Sequence, residues 1–198
     1  MENTILIYIH AVFGGIDLLT GFISIIAKKG RVFHKKSGLI FFYSMIFSGI
    51  IAMIVAVLPK HESPFLFAVG IFSLYFVLTG NRALKFKRKN TDLKIDKLIS
   101  IIMIVTALLM ISLPIILTNS LNIILGIFAI VGITFPVKDL ILFKSPERLR
   151  KRWLKLHLGK MLGGYISATT AFVVGNQFFP SFYGWFIPGI IGGLIITY

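Results

Sequence analysis

The chain has 198 residues, 57% hydrophobic and only 14% charged, with a mean hydropathy of +0.91. A soluble domain of this length carries about 25% charged residues and has too little interior for such an apolar excess, which excludes a soluble enzyme and a disordered chain. The absence of cysteine excludes disulfides and thiolate chemistry, and the net charge of +14 points to nucleic acid or to a membrane surface according to where the cations lie.

A membrane-spanning helix needs about 20 apolar residues. In chain order the apolar runs predict seven: 4–27, 37–58, 64–82, 98–117, 121–143, 155–177 and 182–198. The expected fold is an all-α bundle of seven transmembrane helices in a single transmembrane domain, 1–198. The first run is expected to be a span rather than a cleaved signal, because its leading residues carry Glu2 and no cation and its apolar stretch is long. Thr118-Asn119-Ser120 and Phe179-Pro180-Ser181 are short gaps of turn-forming residues, which predicts two antiparallel hairpins.

The cations fall between the runs. Five lie in 28–36, seven in 82–97 and eight in 138–160; Lys60 completes the 21. All three basic segments occur on one side of a seven-span threading. Lys and Arg accumulate on cytoplasmic loops, so the N terminus is expected outside and the C terminus in the cytoplasm. The same loops would face anionic headgroups, each cation contributing roughly 1 kcal/mol near the surface. Nucleic acid is not an expected partner.

Ionisable residues inside a span mark functional candidates. Asp17 lies mid-way along the first run, and His10 is two turns earlier on the same face. With Asn176 and Gln177 at the outer end of the sixth run, they form a candidate outer pocket or proton or cation relay. The alternative is interhelical hydrogen bonding. The sixth run also holds Tyr165, Ser167, Thr169 and Thr170, the pattern of an inward-facing, cavity-lining surface. His34 and His157 sit at the inner ends of the second and sixth runs. Two imidazoles on different helices at one depth suit axial ligation of haem b, with Arg31, Lys35, Lys36 and Lys160 near enough in sequence to hold propionates. Interfacial rings are the alternative. Arg82 and Asp139 are expected to form an inner-side ion pair. Tyr8, Trp153, Tyr183, Trp185 and Tyr198 fit an aromatic belt.

Several functions lack their residues. The last run has no lysine for a retinal Schiff base, and no Walker, HExxH or GxSxG motif occurs.

The segments HAVFGG, HKKSGLIFFYSM and HLGKMLGGYISATTAFVVGN resemble a family of bacterial multi-spanning proteins described as predicted membrane proteins of unknown function. The resemblance covers most of the chain through His10, His34, Gly38, His157, Gly159 and the polar sixth run. It implies a multi-pass protein of the bacterial inner membrane and supplies no activity. The His34–Gly38 element is also similar to transmembrane b-type cytochromes, whose paired histidines hold two haems. A small ligand or cofactor in a His-containing polar interior is the expected function. The alternatives are a haem protein, or a transport or scaffold subunit, alone, as a homo-oligomer or with a membrane partner.

Overall fold

The computed structural model describes residues 2–179 and 183–197. They are all-helical, with seven α-helices and no strand among the described residues. The helices are α1 (Glu2–Ile26), α2 (Val32–Val55), α3 (Pro64–Arg82), α4 (Lys94–Thr118), α5 (Ile123–Phe143), α6 (Pro146–Gly175) and α7 (Tyr183–Thr197). A 3₁₀ turn, Ala83–Lys87, follows α3.

Five helical segments are long and apolar enough to cross a membrane: Ile5–Ile26, Val32–Val55, Leu66–Lys87, Lys94–Thr118 and Ile123–Phe143. At 1.5 Å per residue the 25 residues of α1 reach about 37 Å, beyond the roughly 30 Å of a hydrocarbon core. The other two expected spans differ. α6 begins at Pro146, nine residues before the expected start at 155, and its first half carries Arg148, Arg150, Lys151, Arg152 and Lys155. Lys, Arg and Leu are good helix formers, so the helix runs on where the apolar run stops. For the same reason α2 and α4 start ahead of the expected 37 and 98. α7 has 15 residues. Pro180, Ser181, Phe182 and Tyr198, which belong to the expected last turn and span, lie outside the described residues.

Local chemistry sets the helix ends. Pro64 and Pro146 open α3 and α6, where a missing N–H costs nothing. Ser63 Oγ accepts from Leu66 N at 3.2 Å. The expected α4–α5 turn forms: Asn119 takes the left-handed conformation, its N–H bonding Ile115 O, and Asn122 caps α5 by accepting from Leu125 N.

The exterior is apolar. On α1, Tyr8, Val12, Ile16, Leu19 and Ile26 are exposed, spaced along one face, while Asp17 and Gly21 are buried on the other. Lipid, not water, suits such a surface.

The residues divide into two compact units. The first comprises 1–78 and 159–198, the second 79–158. In the first, α1 packs along α2, and Phe41, Met45 and Val77 form a core with Tyr165 and Ala168. Glycines admit the closest approaches. A Cβ at Gly21 would fall 2.5 Å from the Tyr165 ring, and one at Gly163 would fall 2.8 Å from Phe76. In the second unit, α4 packs along α5. Ala83, Phe86, Phe143 and Leu149 form a core extended by Trp153, with Phe86 and Phe143 edge to face at 5.9 Å.

Gly21→Ala is expected to destabilise the protein by about 1–3 kcal/mol through overpacking. Gly15, with nothing within 4 Å of its Cβ position, should tolerate alanine or gain up to roughly 1 kcal/mol of helix propensity. Thermal unfolding of the two variants in detergent separates close packing from general glycine effects.

Candidate functional site

The first unit is lined by one polar face of α1. His10, Gly14, Asp17, Gly21 and Ser24 recur every three or four residues, so they share a side of the helix. Most of this face is matched by α2. His10 Nδ1 lies 3.1 Å from Ser48 O and 3.0 Å from its hydroxyl. Ser24 O accepts from His34 Nδ1 at 3.0 Å. A carbonyl only accepts, so Nδ1 carries the proton in both rings. A Cβ at Gly14 would meet Ser48 Oγ, one at Gly21 would meet Phe41, and one at Gly38 would meet Ser24 Oγ. These contacts fix the α1–α2 register, in which Asp17 lies between the levels of Ser48 and Phe41.

Asp17 is the exception on this face. It is 1% exposed. Its Oδ1 is shut from solvent and accepts no hydrogen bond. Ser44, 4% exposed, is buried on the face of α2 that also carries Phe41 and Ser48. Tyr165 packs its ring over Gly21, one turn from Asp17. No Lys, Arg or His forms an ion pair with Asp17 among the described residues.

The polarity of α6 is mostly spent on helix contacts. Thr169 and Thr170 donate to Tyr165 O and Ile166 O one turn back. Ser167 and Ser73 share a hydrogen bond at 2.5 Å between α6 and α3. Asn176 donates to Phe172 O, and both Asn176 and Gln177 are exposed. Neither bonds His10 or Asp17 among the described residues. Of the four residues expected to form an outer pocket, His10 is engaged by Ser48, Asn176 and Gln177 are exposed, and Asp17 alone is buried with an unsatisfied oxygen.

Lys160 is buried in the first unit. Its Nζ donates to the Tyr75 hydroxyl at 2.9 Å and stands 4.5 Å from the ring centre. The sequence suggested a propionate-binding role for this residue. Its buried engagement with Tyr75 is a packing role that a run of apolar residues does not reveal.

The expected axial pair, His34 and His157, falls in different units. His157 Nδ1 donates to Gly80 O at 2.8 Å within the second. Among the described residues no group of three or more His, Asp or Glu side chains could hold a metal ion.

In the second unit Arg82 meets a different acid from the expected Asp139. Its Nε and Nη2 bond Asp96 Oδ1 and Oδ2 at 2.7 and 2.6 Å, with side-chain exposures of 16% and 0%. This two-point pairing is the strongest form that an arginine and a carboxylate make. Asp96 lies in a stretch that reads from sequence as a loop, and helix α4 carries it inward. Asp139 is buried and also has an interaction of its own.

Comparison of the chain with protein-family models, with curated proteins and with solved structures gives no match.

Asp96→Asn and Arg82→Leu are each expected to cost about 3–5 kcal/mol, because each leaves a charge or polar group buried without its partner. The double variant Arg82→Leu/Asp96→Leu should lose less than the sum of the single changes. A double-mutant cycle on thermal unfolding in detergent measures the coupling.

Proposed function

We propose that the protein is a seven-span inner-membrane protein, N terminus outside, that binds a small ligand in the polar interior of its first unit, at Asp17. The observation carrying this reading is the buried Asp17 carboxylate with an oxygen that no protein group satisfies. An unpaired carboxylate in hydrocarbon is costly. Arg82–Asp96 and Ser73–Ser167 are paired, whereas the Asp17 carboxylate keeps an oxygen that a ligand can complete.

The threading rests on charge. The exposed cations of 82–97 and 138–155 face the cytoplasm and the anionic headgroups there. Because the protein has no cysteine, single cysteines report without background. A membrane-impermeant maleimide is expected to label His61→Cys in intact cells, and Lys89→Cys only after the membrane is opened. The reverse pattern would invert the topology.

The ligand site is tested in the same way. Ser44→Cys should react with a small hydrophilic methanethiosulfonate in membranes, because a polar site that exchanges its ligand admits water. Leu19→Cys, on the lipid face at 62% exposure, should not react. If the two are equally inert, no aqueous ligand reaches Asp17 and the reading fails.

A further inference from the structure

We infer that the ligand at Asp17 is a small monovalent cation, held by the carboxylate with hydroxyl oxygens around it. This inference rests on the ligand-binding reading and gives it a chemical class.

Charge balance makes the first selection. Asp17 is 1% exposed, and no protein cation pairs with it among the described residues. An anionic ligand would add a second negative charge to a low-dielectric interior. A divalent cation would leave a net positive one. A single positive charge makes the site neutral, the state that hydrocarbon tolerates.

Donor chemistry makes the second. The chemistry on offer is oxygen: Asp17 Oδ1 has no hydrogen-bond partner, and the buried Ser44 lies on the face of α2 that packs along α1, one turn from Phe41 and from Ser48. The imidazole of this face, His10, is turned to Ser48 through Nδ1 two turns away. Oxygen donors suit hard cations, whereas nitrogen and sulfur donors suit zinc or copper.

Packing makes the third. Gly21 and Gly14 flank Asp17 by about one turn on either side, and their neighbours Tyr165, Phe41 and Ser48 close in on α1. Such close packing one turn to either side of Asp17 favours an ion over a larger organic ligand.

The test uses the wild-type protein in membrane vesicles at fixed pH. N,N′-dicyclohexylcarbodiimide attacks membrane carboxyl groups in their protonated form, and peptide mass spectrometry locates the adduct. Asp17→Asn marks the background. In N-methyl-D-glucamine chloride, whose cation is too large for the site, Asp17 should be labelled. In sodium chloride of equal ionic strength the rate should fall, by roughly tenfold where sodium is at ten times its Kd. Equal labelling in the two salts would mean a carboxyl held neutral by its own proton, which overturns the cation assignment. If Ser44→Cys still reacts with the methanethiosulfonate, the ligand site survives that result and only the cation is lost. No labelling in either salt, with Ser44→Cys inert, overturns both.

Discussion

Lipid tails are as apolar as leucine, so moving a leucine from lipid to a helix interface contributes almost nothing. Helices in this chain are held together by what lipid cannot supply: backbone approach at small residues and hydrogen bonds between polar groups. That constraint accounts for the distribution of residue types. Ile5, Val12 and Leu19 face outward on α1, while Asp17, Gly21 and Ser24 face inward. Ser37, Ser44 and Ser48 are buried at the matching turns of α2. A soluble helical domain would have the opposite pattern.

The two units apply the constraint in different ways. The first relies mostly on weak, neutral links, imidazole to carbonyl at His10 and His34 and hydroxyl to hydroxyl at Ser73 and Ser167, beside the Lys160–Tyr75 bond. Each contributes on the order of 1 kcal/mol or less. The second uses one two-point ion pair, Arg82–Asp96, beside an aromatic core in which Lys87 stands 5.8 Å from the Trp153 ring. Neutral links can be broken and remade at little cost. A desolvated ion pair cannot. The unit with weak links is also the one that holds the unsatisfied carboxylate.

Much of this was readable in advance. Apolar runs predict where helices form, because a backbone in hydrocarbon has no other way to satisfy its polar groups. They mark the bilayer and not the helix, which is why α4 reaches back to Lys94 and α6 to Pro146. The α4–α5 turn was legible because Asn119 and Asn122 have local, sequence-adjacent roles. The partner of Arg82 was not. Asp92, Asp96 and Asp139 are all acids near its membrane depth, and only the rotation of α4 about its axis singles out Asp96. Asp17 could be named from sequence as a lone carboxylate in a span. That His10 is engaged by Ser48, and that no partner reaches the Asp17 oxygen, depends on the register of two helices.

The composition of α6 bears on how the chain is made. Its first half, which ends at Lys160, is cationic, and its second half holds two adjacent glycines and a series of hydroxyl residues. The translocon sorts each segment by its own transfer free energy, and a lysine costs up to about 2.5–3.5 kcal/mol at the centre of a span. Taken alone, α6 is a poor candidate for insertion. Taken with a resident α3, it is a good one, since Tyr75 receives the ammonium, Ser73 receives Ser167, and Phe76 and Val77 fill the space at Gly163 and Gly164. Synthesis delivers α3 before α6. In the proposed seven-span threading, the order of the chain thus supplies a template for its least hydrophobic helix, and biogenesis becomes a sequence of dependent steps in which the late segment is a client of the early ones.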